Sequence, residues 1–197
     1  MHKVKALKFN PDKLNGISKK QITLHHDRHY ASYVKGKNNI ESALKKGKLE
    51  HIRELKKNES HNGSGMVLHE TYFGHLGGKG GKPSGILMKK LKSDFDSYEK
   101  WKKEFLATAS AGRGWALLCY DWSDNKLHNY AVDFHDEGAV WSAIPIMALD
   151  LWEHAYYIDY GPNKSKYIEA FFKNIDWPVV GKKLQECTSS VALKPRY

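Results

Sequence analysis

Apolar side chains recur every three or four residues along the first quarter of the chain, which is the spacing of one face of an α-helix. Ser18 stands just before this pattern and has a typical N-cap side chain. The pattern predicts one long helix, with a kink allowed, from residue 19 to about residue 44. A polar stretch follows as far as Ser64, with a short helical segment around residues 49–57, and a second major helix is predicted over residues 65–76.

The densest helix-breaking run in the chain is residues 77–85, GGKGGKPSG. Glycine and proline at this density end a helix, so we place a lobe boundary here and expect a flexible linker or a surface loop. The run lacks the GxxxxGKS or GxxxxGKT spacing of a phosphate-binding loop. The predicted domains are a helical hairpin over residues 1–83 and a second lobe over residues 84–197, with a metal site between them.

Beyond this run the pattern becomes mixed. The predicted elements, in chain order, are helices at 86–95 and 97–109, strands at 115–121 and 126–133 joined by a hairpin at 122–125, a third strand at 143–149, and helices at 152–158, at 165–175 and ending at Cys187. The fold class is therefore α+β, with an N-terminal helical hairpin lobe followed by a C-terminal α/β lobe that contains a small three-stranded antiparallel sheet.

Composition adds further constraints. The 197 residues, 41% of them hydrophobic, suit one globular unit or two small lobes that share a core. The chain has no run of about 18 apolar residues and its start lacks a secretory h-region, so we expect a cytoplasmic protein without a membrane partner. Cys119 and Cys187 lack zinc-site or CxxC spacing and are interpreted as reduced structural thiols. Any bound metal must then be held mostly by imidazoles and carboxylates.

The net charge of +10 fits two classes of protein. Nucleic-acid-binding proteins carry such charge, and so do enzymes that attract small anions. The lysines form short clusters, such as residues 45–48 and 89–92, without an RNP, zinc-finger or helix-turn-helix motif. We interpret them as solvated faces and disfavour a nucleic-acid partner.

Residues 150–157, DLWEHAYY, place two carboxylates and an imidazole in an aromatic run. Buried charges need an ion-pair partner or a metal. A partly exposed helix with an Asp150–His154 pair at positions i and i+4 accounts for the same residues. This segment alone leaves both interpretations open.

Eleven histidines widen the choice of metal ligands. His25 and His29 share one face of the first predicted helix, with Tyr33 one turn further along, and His69 lies among apolar residues of the second. Any one of them alone is more often a hydrogen-bonded core residue. Three histidines from separate elements with Asp150 would instead suit a transition metal that keeps one position open for solvent or substrate. The zinc-peptidase motif HExxH is absent, because the second helix reads HETYF.

Several segments, in order along the chain, resemble the iron/manganese superoxide dismutase family. Residues 150–157 are similar to the family's DxWEHxYY motif, residues 24–34 (LHHDRHYASYV) to its HHxxHHxxYV helix, and residues 69–73 to its NHxxFW segment. Residues 112–118 (GRGWALL) are similar to GSGWxWL, and residues 144–150 (IPIMALD) lead into the first motif. The resemblance extends over nearly the whole chain.

The resemblance implies an enzyme that converts superoxide to dioxygen and hydrogen peroxide, using one iron or manganese ion per subunit that cycles between trivalent and divalent states. The implied metal ligands, with a solvent molecule as the fifth, are His25, His69, Asp150 and His154. The resemblance also implies a homodimer or a dimer of dimers. In it Glu153 would reach the partner's ligand histidine, and Tyr157 would reach His29 of the partner subunit.

Further roles follow from the same resemblance. Family members usually place a glutamine against the metal-bound solvent, from one of two positions in the chain. The first position is Gly65 here, which cannot donate a hydrogen bond. At the second position some relatives carry a histidine, and that position corresponds to His135 here. Tyr33 and His29 would relay protons at the mouth of the substrate funnel. The implied aromatic shell of the metal is Tyr72, Phe73, Trp115 and Trp152.

Some interpretations stay open at this point. Leu68 and Tyr30 replace the family's asparagine and histidine, which leaves the hydrogen bonds around the metal and the choice of iron or manganese undetermined. A surface-loop histidine is the alternative interpretation of His135. The rival functions are a non-redox metallohydrolase, which would work with zinc, and a basic nucleic-acid-binding protein, which would not need His69. Neither accounts for Glu153 and Tyr33 at their spacings.

Overall fold

The computed structural model of the protein describes residues 1–191. Two helical arms that pack against each other form the N-terminal part. The first arm contains α1 (Lys19–Leu24), a π-helical turn (His25–Tyr30) and α2 (Ala31–Lys45). The predicted first helix is confirmed, Ser18 caps it by accepting a hydrogen bond from the main-chain N–H of Gln21, and the π turn interrupts its α-helical pattern.

The second arm is longer than the sequence pattern indicates. α3 runs over Ile52–Gly74, so the prediction of a polar stretch to Ser64 followed by a helix from residue 65 is wrong. Packing against α2 outweighs the weak helix propensity of the asparagine, serine and glycine residues in this stretch. A Cβ atom on Gly65 would lie 2.8 Å from Tyr33 Cδ1, so glycine is what lets the two arms approach at this level.

The C-terminal part contains a small sheet and the remaining helices. In chain order the elements are α4 (Gly85–Phe95), α5 (Tyr98–Ala111), β1 (Trp115–Asp121), β2 (Lys126–Val132), β3 (Ala143–Asp150), α6 (Tyr157–Tyr160), α7 (Lys164–Lys173) and α8 (Trp177–Val191). The sheet is antiparallel with strand order β2-β1-β3, so β1 is its central strand. The predicted α+β fold with a three-stranded antiparallel sheet is confirmed.

The chain directly after β3 does not form the helix predicted over residues 152–158. A 3-10 turn (Glu153–Ala155) and the four-residue α6 take its place. The main-chain N–H of Trp152 donates to Asp150 Oδ1 at 3.0 Å, and Gln21 Nε2 donates to the carbonyl oxygen of His154 at 2.5 Å. Side-chain hydrogen bonds therefore hold this turn where a continuous helical ladder was expected.

The glycine-rich run of residues 77–85 is tied to the C-terminal part. The N–H of Gly78 donates to the carbonyl of Asn174 at 3.0 Å, and that of Gly80 to the carbonyl of Ile175 at 3.1 Å. A Cβ on Gly78 would lie 2.3 Å from the Ile175 oxygen, so no larger residue fits. Of the two predictions for this run, the surface loop agrees with the structure and the flexible linker does not.

A single cluster of buried apolar side chains joins the helices and the sheet. Trp101 and Phe105 of α5 and Trp115 and Leu118 of β1 are fully buried in it. Burial of each large apolar side chain contributes about 1.5–3 kcal/mol to folding. Among the described residues, no helix combines the length and the hydropathy needed to cross a membrane.

Candidate metal centre

Four elements bring one side chain each to a common point. His25 begins the π turn, His69 lies in α3, Asp150 ends β3, and His154 lies in the 3-10 turn. Their ligand-type nitrogen and oxygen atoms all lie within 4.8 Å of one another. Asp150, His69 and His25 are buried, and the side chain of His154 is 27% exposed.

The three imidazoles converge on one carboxylate oxygen. Asp150 Oδ2 lies 3.1 Å from His25 Nε2, 3.1 Å from His154 Nε2 and 3.5 Å from His69 Nε2. Bonds of about 2.1 Å to one shared ion place neighbouring ligand atoms about 3 Å apart. The observed separations fit donor atoms grouped around a single ion, and the two of 3.1 Å are also hydrogen-bond distances.

The orientation of His69 is set by its own helix. His69 Nδ1 donates to the carbonyl oxygen of Gly65 at 2.7 Å, so the neutral ring leaves Nε2 unprotonated. That Nε2 is buried and has no hydrogen-bond partner. A buried acceptor without a partner is costly to leave, and a cation among the three rings would satisfy it.

Charge points the same way. Burial lowers the pKa of both His25 and His69, so these rings are neutral near pH 7. Burial alone would raise the pKa of Asp150, but the adjacent His154 and His25 hold it well below its ordinary value. A fully buried carboxylate thus lies beside the neutral rings of His25 and His69, and a cation would compensate its charge. Three nitrogen donors and one oxygen donor suit iron or manganese.

A directed chain of hydrogen bonds runs beside this cluster. The indole Nε1 of Trp115 can only donate, and it donates to His135 Nδ1 at 3.0 Å. The proton of neutral His135 is therefore on Nε2, which donates to Tyr33 Oη at 2.7 Å. The Tyr33 hydroxyl in turn donates to His29 Nε2 at 3.1 Å. A continuous chain of three hydrogen bonds therefore connects Trp115 to His29, with every donor pointing toward His29.

Burial fixes the protonation states along this chain. It lowers the pKa of His29 and of His135 to about 4 and raises the pKa of Tyr33 to about 12. Both histidines are therefore neutral and the tyrosine keeps its proton near pH 7. His135 is 6% exposed and its ring centroid lies 5.8 Å from that of His69, so the surface-loop interpretation of this residue is wrong.

Aromatic rings enclose the cluster. The ring centroids of Tyr72 and Phe73 lie 5.2 Å and 5.0 Å from that of His25. Trp115 lies 5.1 Å from His69 in an edge-on contact, and Trp152 stacks at 6.5 Å on His154. The four residues predicted as an aromatic shell thus each contact a member of the cluster, and three of them are buried.

The two residues predicted for a subunit interface lie at the surface next to His154. Glu153 is exposed and Tyr157 is 50% exposed. Together with His25, His29 and His154 they line an open cavity of about 320 Å³. This cavity leads from the protein surface to two of the four converging side chains.

Tyr30 and Leu68, which depart from the family pattern, serve structural contacts. Tyr30 Oη donates to Glu70 Oε1 at 3.0 Å and accepts from the main-chain N–H of Lys5 at 3.1 Å. The Lys5 ammonium also pairs with Glu70, so this tyrosine anchors the N-terminal segment on both arms. Leu68 is buried in the apolar core. Neither residue belongs to the cluster of converging donor atoms.

Sequence reasoning missed a buried amide that supports the centre. Gln21 is 0% exposed, donates to the carbonyl of His154 and accepts from the N–H of Ile158 at 3.3 Å. It lies four residues before His25 and so on the same helical face. That spacing was the one available signal, because its partners are more than 130 residues away in the chain.

Comparison with known proteins agrees with the geometry. The family model described as the α-hairpin domain of iron/manganese superoxide dismutases matches residues 1–77, and the model of the C-terminal domain matches residues 83–183. "Superoxide dismutase [Mn] 1" of Halobacterium salinarum is 46% identical over 166 residues, covering 82% of this chain and 83% of that protein.

Two further relatives extend the comparison. "Superoxide dismutase [Mn] 2" of Halobacterium salinarum is 42% identical over 194 residues, covering 95% of this chain and 97% of the relative. "Superoxide dismutase [Fe]" of Aquifex pyrophilus is 39% identical over 190 residues, covering 90% of this chain and 89% of the relative. The relatives thus include proteins named for each metal. Both family models match, and these relatives are 39–46% identical over at least 82% of the chain. The chain therefore belongs to the iron/manganese superoxide dismutase family.

Proposed function

We propose that this protein is a superoxide dismutase whose His25, His69, Asp150 and His154 hold one iron or manganese ion. The observation that carries the proposal is the convergence of three imidazole Nε2 atoms on Asp150 Oδ2 at 3.1–3.5 Å in a buried site. The ion, when bound, supplies one-electron chemistry by alternating between trivalent and divalent states. In the balanced reaction two superoxide anions and two protons become dioxygen and hydrogen peroxide.

The chain's own residues hold the protons that peroxide formation requires. Tyr33 keeps its proton at Oη, and neutral His29 accepts a hydrogen bond from it at Nε2. His29 borders the cavity beside His154, so it is the end of this hydrogen-bonded chain that lies outside the apolar core. The buried rings of Tyr72, Phe73 and Trp115 keep bulk water away from their side of the centre.

His135 is the residue proposed to adjust the redox behaviour of the site. Its Nδ1 is occupied by Trp115 and its Nε2 by Tyr33, so its ring orientation is fixed from both sides. Through Tyr33 it orients the hydroxyl beside the four proposed ligands. Partners of this kind, which orient groups around a metal, tune the potential and pKa values at the site.

Positive side chains favour the approach of an anionic substrate. Arg113 and Lys164 line a cavity of about 570 Å³ together with Glu153 and His154. The Lys164 ammonium is held by the carbonyl oxygens of Ser110 and Gly112 at 3.0 Å and 2.9 Å. Fixed positive charge next to the proposed ligand His154 raises the encounter rate with superoxide, an effect that falls as salt is added.

The proposal includes a homodimer, alone or paired into a dimer of dimers. Three residues near His154 are exposed at the surface: Glu153, Tyr157 and Ile158. A second subunit that covers them would bury apolar surface beside the centre. We also propose the lobe boundary at residues 83/84, which the two family matches support. The proposed cytoplasmic location is supported by the buried thiols of Cys119 and Cys187.

Reconstitution tests the function directly. Apoprotein would be loaded separately with manganese, iron or zinc, and each form assayed for superoxide dismutation with its metal content measured in parallel. We expect activity with manganese, iron or both and none with zinc, because zinc has no redox change to offer. Full dismutation by a metal-free His69→Ala protein would refute the assignment, and activity with zinc in a hydrolase assay would favour the metallohydrolase.

A further inference from the structure

A histidine outside the proposed ligand set joins two of the elements that carry ligands. His75 follows the last residue of α3, and its side chain is 1% exposed. Its ring packs edge-on against Phe171 at 5.6 Å and against Tyr72 at 6.4 Å between ring centroids. Burial lowers the pKa of His75 to about 4, so the ring is neutral near pH 7.

The imidazole of His75 meets the main chain of β3. Its Nε2 lies 3.0 Å from the carbonyl oxygen of Ala148 and 3.1 Å from the amide nitrogen of the same residue. β3 is an edge strand of the described sheet, so its outward-facing main-chain groups need partners from outside the sheet. The neutral ring of His75 pairs with one of these two Ala148 groups through Nε2, on the side where the sheet has no further strand.

The main chain of His75 makes a second connection. Its carbonyl oxygen accepts a hydrogen bond from the N–H of Asp176 at 2.7 Å, and Leu76 forms an isolated bridge with Ile175. The end of α3 is therefore clamped between β3 and the segment that leads into α8. A shift of this helix end would break hydrogen bonds on both sides.

Both connections act close to the proposed ligands. His69 lies in α3, six residues before His75, and Asp150 lies two residues, about 7 Å, beyond Ala148 along the strand. The His69–Asp150 separation of 3.5 Å is the longest of the three nitrogen–oxygen distances, and it spans these two elements. The contact at His75 is thus in a position to set that distance.

We propose that His75 is a positioning residue that fixes the distance between His69 and Asp150 by tying the end of α3 to β3. This role presupposes the metal centre proposed above. Groups that orient ligands in this way, without touching the ion, change metal affinity by about 10–100-fold when they are lost. A hydrogen-bonding side chain of similar reach should preserve the role, and an apolar one of similar size should not.

The test compares His75→Leu and His75→Gln, with His128→Leu as a matched control in which an imidazole is removed from the partly exposed hairpin. Each apoprotein would be titrated with Mn²⁺, and the Mn²⁺ spectrum recorded by electron paramagnetic resonance. We expect His75→Leu to bind Mn²⁺ about 10–100-fold more weakly with an altered zero-field splitting. His75→Gln should stay near the wild type in both measurements, and so should His128→Leu.

A folded His75→Leu protein with wild-type affinity and spectrum would overturn the proposal. If that variant does not fold, His75→Gln and His75→Asn decide, because the amide of asparagine is one methylene too short to reach Ala148; equal Mn²⁺ affinity and spectra for the two would also overturn it. Asp150→Ala in the same titration keeps the two proposals separate. Unchanged Mn²⁺ binding by Asp150→Ala would remove the metal centre itself, whatever His75 does.

Discussion

Within the described part of the chain, two clusters bring three or more histidine and carboxylate side chains within 4.8 Å of one another. One is the candidate metal centre. The other, which we name the hairpin cluster, lies at the turn between β1 and β2 and consists of Asp121, Asp124 and His128. By composition and spacing alone, each could hold a metal ion.

Burial and hydrogen bonding separate the two clusters. In the hairpin cluster Asp121 accepts from Ser123, Asp124 accepts from the N–H of Lys126, and the Asp124 and His128 side chains are 42% and 37% exposed. In the metal centre the fully buried Asp150 carboxylate lies beside the neutral rings of His25 and His69, and His69 Nε2 has no hydrogen-bond partner. Proximity of ligand-type atoms is thus a weak indication of a metal site, and a buried carboxylate that faces an unpartnered imidazole nitrogen is a stronger one.

The largest effect should come from removing the carboxylate of the metal centre. Asp150→Ala should lose its bound metal and at least about 100-fold in dismutation, because the one anionic donor beside the three imidazoles is gone. Asp124→Ala, the equivalent change in the hairpin cluster, should keep metal and activity. Elemental analysis and a superoxide assay on both variants measure this contrast, and equal losses would abolish the distinction between the clusters.

The free energy of unfolding of the apoprotein should fall at acid pH, because its buried histidines are neutral in the folded state. The unfolded ring of His75 binds a proton below its ordinary pKa of about 6.5, whereas the folded ring does so only near pH 4. The unfolded state therefore takes up more protons in this window, and stability falls as the pH drops from 6.5 to about 4.

For His75 alone this loss is on the order of 3 kcal/mol. Half-buried Lys183 adds positive charge near the ring and also lowers the pKa of His75. Urea unfolding of wild-type and His75→Gln apoprotein at pH 6.5 and pH 4.5 would measure the contribution of His75 to this pH dependence. The free energy of unfolding of the variant should fall less between the two pH values than that of the wild type. Parallel pH profiles for the two proteins would contradict it.

Replacing His135 should change the redox potential of the metal centre without removing the metal. His135→Ala should retain its ion but change the midpoint potential and lower dismutation by about 10–100-fold, because Tyr33 loses the donor that orients it. His135→Gln, which can still donate to Tyr33, should recover much of the activity. Loss of the metal from His135→Ala, or an unchanged potential, would remove this residue from the proposed role.

The smallest effect should follow a change in the hairpin cluster. His128→Gln should alter the free energy of unfolding by less than about 0.5 kcal/mol, because exposed ion pairs contribute little in water. Thermal or urea unfolding of the loaded protein measures this. A loss of several kcal/mol, or altered metal content, would show that the hairpin cluster also binds an ion.

Much of the fold could be predicted because its signals are local. Ser18 and Ser97 accept hydrogen bonds from the first turns of their helices, and Asn125 takes the left-handed backbone conformation in the β1–β2 turn. The start of α3 could not be predicted in this way. A Cβ on Gly36 would lie 2.1 Å from Asn62 Oδ1, so the polar and glycine residues of that stretch are helical because of contacts with α2.

The site divides similarly. The resemblance supplied the four proposed ligands, which the structure brings together. It did not supply the carbonyl of Gly65 that orients His69, the indole of Trp115 that donates to His135, or the amide of Gln21 that holds the His154 turn. Two of these contacts join residues far apart in the chain, and the third uses a main-chain group that side-chain motifs do not represent.

Anomalous diffraction from crystals of the manganese-loaded protein, collected at the manganese absorption edge, tests the central assignment most directly. We predict one strong peak per subunit, bounded by His25 Nε2, His69 Nε2, His154 Nε2 and Asp150 Oδ2. A loaded and active protein whose anomalous peak lies elsewhere, for instance at Asp121, Asp124 and His128, would contradict the account.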